Sequence, residues 1–172
     1  LSIEQQENKY AIKTLYAPNN LEKSQEIYSI QRVFAGKENG EWKLFSALPI
    51  LTDDWQHKQV GDIEYIYPPN FTFDENEGQD SANFVEHLTN EFDIPIDEPI
   101  NYYLAPSFMK MAKISGLDYA WDGNDGRGYP KNNQVFVGTG SEKYPHELVH
   151  TIFKDYELNT FIDEGLATYY GG

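Results

Sequence analysis

Apolar and polar positions change rhythm about a third of the way along the chain. Up to residue 70, four runs rich in aromatic and β-branched residues stand out: Tyr10–Tyr16, Ile27–Ala35, Glu41–Ala47 and Val60–Tyr67. Such runs predict strands of an antiparallel β-meander. Asn39–Gly40 accepts positive φ at both positions and predicts a hairpin between the middle pair. Pro18–Asn20 and Pro68–Asn70 mark longer breaks, and the second divides the chain into a β-rich region 1–70 and a second region 71–172.

Beyond that break the period lengthens. Ala82, Val85, Leu88 and Phe92 recur at helical spacing, and Ile94–Pro95 stops the run. A strand is expected at Ile100–Leu104, then a short helix from Ser107 to Ile114 ended by Gly116. Asp122–Tyr129, rich in Gly and Asp, reads as loop, and Val135–Val137 as a strand. Two helices, Pro145–Tyr156 and Thr160–Tyr170, close the sequence. The fold class is therefore α+β: an antiparallel meander followed by a mixed α/β domain with two C-terminal helices.

Composition narrows the functions open to this fold. A chain of 172 residues can bury a real core. Its net charge of −15, unrelieved by any Lys/Arg cluster, makes nucleic acid and anionic membrane poor partners, and no nucleic-acid partner is expected. No apolar run reaches the roughly 20 residues that span a bilayer, so no transmembrane segment is expected. Cysteine is absent, which removes thiolate ligands and disulfides. The sequence begins at Leu and closes on Gly171–Gly172 straight after a helical pattern, so a longer native protein is expected; oligomeric state is left open.

One pattern carries chemistry. His146–Glu147–Leu148–Val149–His150 is an HExxH sequence. On a helix, residues four apart are offset by about 40° and rise about 6 Å, so two imidazoles can converge on one ion. Glu147 then lies beside that face, able to contact a water without ligating the metal. With His at roughly 0.02 and Glu at roughly 0.09 per position, a chain of this length holds about 0.01 such matches by chance. Pro145 suits the first helical position, and Leu148, Val149, Ile152 and Phe153 supply a face for burial. His57 and His87 read as surface residues. A catalytic zinc normally takes three protein ligands, so a carboxylate must complete the set.

Glu164–Gly165–Leu166–Ala167 follows on the next expected helix. HExxH followed by this element resembles the gluzincin metallopeptidases, the thermolysin and aminopeptidase type of zincin. The resemblance covers about Tyr144–Gly172, and residues 151–163 form a shorter interval than is usual there. It implies one Zn²⁺ held by His146, His150 and Glu164, Glu147 as catalytic base, a zincin-like catalytic domain and a peptide or protein substrate. It leaves Asp163 as a rival ligand or as a partner that fixes one histidine's tautomer. Gly165 and Ala167 are expected to let the second helix lie close to the first. Tyr129, Tyr169 and Tyr170 are candidates for oxyanion stabilisation, and Val135–Val137 is either an interior strand or a substrate-pairing edge. An unregulated peptidase implies an extracellular or cell-envelope setting. The alternative is an inactive zincin-like module that binds a peptide or surface polymer.

Overall fold

The computed structural model describes residues 1–6, 8–17, 27–120, 126–129 and 132–172. The protein is mixed α+β and divides into two compact units, Leu1–Asp54 with Met109–Gly123, and Trp55–Phe108 with Asn124–Gly172.

The first unit is built on an antiparallel sheet of β1 (Ser2–Gln6), β2 (Lys9–Tyr16), β3 (Ser29–Glu38) and β4 (Glu41–Phe45), joined by β8 (Leu117–Ala120), which pairs with β3. The expected hairpin is present: Asn39 and Gly40 both have positive φ, and Glu38 faces Glu41. Ala11, Phe34 and Ala47 form a small core under the one-turn helix α1 (Leu48–Leu51), with Phe45, Ile50 and Leu51 against it. Arg32, almost fully buried, meets Asp118 of β8 at 2.6 Å, which supplies its compensating charge. Neither β1 nor β8 was expected. Ser2–Gln6 is exposed throughout and shows no alternation, and β8 reaches β3 only through long-range pairing.

The second unit carries a mixed five-stranded sheet in the order β5-β6-β7-β10-β9, comprising β5 (Gln56–Val60), β6 (Ile63–Tyr67), β7 (Ile100–Leu104), β10 (Gln134–Val137) and β9 (Gly126–Tyr129). Central pairs β6/β7 and β7/β10 are parallel, while both outer pairs are antiparallel. Two sequence expectations are thereby corrected. The run ending at Tyr67 belongs to this sheet and not to the meander, because Ile63, Tyr65 and Tyr67 bury one face in its core and Ile63–Ile66 pairs with β7. Pro68–Asn70 is accordingly a turn within the unit, closed by the Phe71 N–H on the Pro68 carbonyl at 3.0 Å. Residues 126–129, read as loop, form the outermost strand. Their glycines mask strand propensity, but Gly126 is required, since a Cβ there would collide with the Tyr144 ring. The rest of that glycine-rich stretch, 122–125, lies outside the described residues.

Helix α2 (Glu75–Phe92) begins where Asp74 accepts from the Asn76 and Glu77 N–H groups at 2.8 and 3.3 Å, with Glu75 and Glu77 favourably placed in the first turn. It ends at Asp93 in the left-handed region, ahead of Ile94–Pro95. Its buried stripe Ala82, Val85 and Leu88 is the one the spacing anticipated. Helix α3 (Phe108–Ile114) is short. Helices α4 (Pro145–Ile152) and α5 (Thr160–Gly171) follow, separated by a 3-10 turn at Lys154–Tyr156. Val85 and Leu88 of α2, Leu148, Val149 and Ile152 of α4, and Ala167 of α5 share a core with Tyr65, Tyr102, Val135 and Val137 of the sheet. No helix among the described residues is long and apolar enough to cross a membrane.

Candidate metal centre

Helix α4 opens with Pro145 at its first position, and its start is fixed by the loop before it. The Tyr65 hydroxyl donates to the Glu142 carbonyl at 3.0 Å, Ser81 donates to the same oxygen at 2.8 Å, and Tyr102 donates to the Ser141 carbonyl at 3.0 Å. Burial pushes both tyrosines well above the ordinary phenol range, so they stay neutral donors. Glu142 itself is buried and accepts the Asp74 N–H at 2.7 Å; desolvation raises its pKa above the usual carboxylate value, with the charges of Glu77 and Asp74 adding to the rise. This loop network joins the α2 cap to the α4 N-terminus. Nothing in the local sequence signals it.

From that start, α4 buries Leu148, Val149 and Ile152 and leaves His146 and His150 on its half-buried face. Their Nε2 atoms lie 3.3 Å apart. Asn159 caps α5 by accepting the Ile162 N–H at 3.1 Å, and Ala167, fully buried, seats α5 against the shared core. Glu164 is thereby brought to the histidines, with Oε2 at 3.5 Å from His146 Nε2 and Oε1 at 3.7 Å from His150 Nε2. A tetrahedral zinc with bonds of about 2.0–2.2 Å needs donor atoms about 3.3–3.6 Å apart. The two Nε2 atoms fall in that range, and the Glu164 carboxylate turns one oxygen toward each of them, so the three side chains form a group able to hold a metal ion.

Asp163 faces the other nitrogen of the second imidazole: its Oδ2 is 3.0 Å from His150 Nδ1, an approach too bent for a straight hydrogen bond. A carboxylate there favours the tautomer with the proton on Nδ1 and the lone pair on Nε2. Of the two acidic residues in this turn, Glu164 therefore faces the two Nε2 atoms, and Asp163 faces Nδ1 of His150. Glu147 is buried and lines a polar cleft of about 280 Å³ with Lys143, Tyr144, Pro145, His146, Gly171 and Gly172.

The small residues of α5 divide their roles differently from the sequence expectation. Ala167 packs as anticipated, but a Cβ on Gly165 would meet nothing within 4 Å. The close approach is made by Gly171, where a Cβ would lie 2.5 Å from the His146 nitrogen. A glycine at the last turn of a helix reads as a C-terminal signal, which hid this contact. Tyr170 donates to Glu91 at 3.3 Å and stacks edge-on with Phe92, while Tyr169 is exposed on the outer face of α5. The Tyr129 side chain lies outside the described residues. His57 pairs with Glu64 and His87 with Glu91, both exposed and remote from the cluster, as surface residues do. Strand β10 is interior, between β7 and β9, and among the described residues β9 is the outermost strand on that side.

No family model, curated protein or solved structure matches this chain. The functional reading stands on the geometry of the site.

Proposed function

We propose that the chain is a zinc-dependent metallopeptidase of the gluzincin type, in which His146, His150 and Glu164 hold one Zn²⁺ and Glu147 is the general base. One observation supports the reading: the His146 and His150 Nε2 atoms and the Glu164 carboxylate gather at one place on α4 and α5, with the buried Glu147 next to His146 in the chain. The zincin-like character of the domain is supported by a helix bearing the HExxH sequence packed on a mixed sheet whose outermost strand on one side, β9, runs antiparallel to its neighbour.

When bound, zinc supplies Lewis acidity, acidifying water and polarising a scissile carbonyl. Glu147 lines the polar cleft, takes the proton of the attacking water on a carboxylate oxygen and returns it to the departing amine nitrogen. Asp163 acts through His150, holding its ring so that Nε2 faces Glu164. The outer edge of β9, the outermost strand on that side among the described residues, offers backbone donors and acceptors along which an extended peptide adds as a further strand.

The deciding experiment is metal analysis and peptide hydrolysis with wild type and Glu147→Gln. Wild type is expected to bind one zinc and cleave peptides, and the variant to keep the zinc while losing about 10²–10⁴-fold in kcat. Full activity in the variant, or no zinc uptake by wild type, overturns the proposal.

A further inference from the structure

Strand β9 carries glycine at both positions that face the helices. Gly126 pairs with Val137 and Gly128 with Val135, and paired residues of antiparallel strands share a face. Those valines lie in the core with Leu148 and Val149 of α4, so the helix-facing side of β9 is bare backbone. Glycine weakens a strand and often marks a place where another group comes close. At Gly126 that group is the Tyr144 ring. Gly126 is buried, and a Cβ built on it would lie 2.7 Å from Cζ and 2.9 Å from Cδ1 of the ring, with Cε1 closer still.

Tyr144 is the N-cap residue of α4, immediately ahead of Pro145, His146 and Glu147, and its side chain makes no cap bond there. That position favours a small side chain whose oxygen accepts a helix N–H. Tyrosine serves capping poorly and spacing well, being large, planar and free about only two torsions. Its ring is half-buried, packs against the shared core and lines the polar cleft that Glu147 also lines. One ring therefore stands between the β9 backbone and the turn that bears Glu147 and His146.

We propose that Tyr144 is a positioning residue for the substrate: its ring sets the distance from β9, along which an extended peptide lies, to the first turn of α4. The inference rests on the peptidase reading and adds to it a residue that acts through β9 and not on the reacting atoms. A peptide paired with β9 has its backbone fixed by that strand. Without the ring, β9 loses its support on the helix side, since neither Gly126 nor Gly128 has a side chain to replace it. With a methyl added at Gly126, ring and strand are forced apart. In either case a peptide reaches the cleft only by giving up part of its pairing with the strand, which weakens binding in ground and transition states alike. The two changes meet at one contact and act in opposite directions, so in combination they compensate.

The experiment measures kcat, KM, zinc content and Tm for Tyr144→Phe, Tyr144→Ala, Gly126→Ala and the double variant Gly126→Ala/Tyr144→Ala. Tyr144→Ala and Gly126→Ala are each expected to raise KM about tenfold, with kcat changed by less than about threefold and zinc content unchanged. Tyr144→Phe keeps the ring and is expected to restore the KM, and the double variant to show a lower KM than either single alanine variant. Unchanged KM in Tyr144→Ala, a kcat loss without a KM change, or loss of zinc overturns the proposal. So does a Tyr144→Phe protein as impaired as Tyr144→Ala, because the hydroxyl is then the working group. If wild type cleaves no peptide, the peptidase reading falls, and hydrogen exchange of the Gly126–Tyr129 amides decides the spacer separately. Faster exchange in Tyr144→Ala that slows again in the double variant supports it; exchange unchanged in Tyr144→Ala overturns it.

Discussion

Gly171→Ala is the most informative single substitution, because it adds one methyl group at the place where α5 meets the first turn of α4. An ideal Cβ on Gly171 lies 2.5 Å from the His146 nitrogen, 2.6 Å from its Cα and 2.9 Å from the Pro145 carbonyl carbon. Nonbonded heavy atoms prefer about 3.5–4.0 Å, so the helices must part by about 1 Å. These are backbone atoms and cannot swing aside as a side chain would. Overpacking of this kind costs about 1–3 kcal/mol, against a helix-propensity gain of at most about 1 kcal/mol that fraying at the last turn reduces further. The φ of Gly171 lies outside the positive region, so the effect is steric and not conformational. Two readouts follow. At about 2–4 °C per kcal/mol for a chain of this size, the Tm falls by several degrees. Zinc affinity falls as well, because moving His146 by about 1 Å stretches a 3.5 Å donor separation beyond what a tetrahedral ion accepts. Gly165→Ala is the control, expected to be neutral or stabilising by up to about 1 kcal/mol, since its Cβ enters open space. Calorimetry and a competitive zinc titration on both variants check this. A Gly171→Ala protein with wild-type Tm and zinc affinity would refute the helix contact on which the site geometry depends.

Three further outcomes are expected. Asp163→Ala removes the carboxylate at His150 Nδ1 and should weaken zinc binding by about 10–100-fold, with Asp163→Asn recovering part of the loss; titration against a chelating indicator decides, and unchanged affinity would count against the positioning role. Chelating the metal should lower the Tm by an amount that grows with the logarithm of the zinc concentration used for loading, checked by calorimetry at several concentrations. Glu142→Gln should raise stability at pH 7. Burial raises the folded-state pKa of Glu142 above its ordinary 4.5, so the folded protein holds that proton more tightly, and wild type loses stability as pH rises from 4.5 through the raised value. In urea unfolding the variant should lack this decline, and the two proteins should converge below pH 4.5; a variant less stable than wild type at pH 7 would show that the carboxylate's bond to the Asp74 N–H outweighs its burial.

How much of the site was legible depended on how far apart in sequence its parts lie. The histidine pair follows from helix pitch alone, because residues four apart on one helix face the same way whatever surrounds them. The α2 stripe is equally local, and so is the Asn39–Gly40 hairpin. Glu164 as third ligand came from resemblance, and the separations at the two Nε2 atoms now support it geometrically. Asp163 was legible as a rival ligand or as a partner fixing one histidine's tautomer, but the choice between the two was not, since which carboxylate reaches which nitrogen depends on how α5 rotates against α4.

Other features belong to tertiary structure entirely. The β6 run has the same alternating pattern whether it pairs with β4 or β7, and the choice falls to the core that α2 and α4 build over one face of the sheet. Glycines concealed β9, where Gly126 is present because the Tyr144 ring needs its place. Glu142 looks like one more surface acid in an acidic chain, yet it is buried beneath the loop that starts α4. Gly165 and Gly171 are the same residue type on one helix, one facing open space and the other pressed on the His146 backbone. Short-range periodicity singled out the histidine pair; the docking of α5 on α4, a contact between chain segments with no local signature, decided that Glu164 meets it.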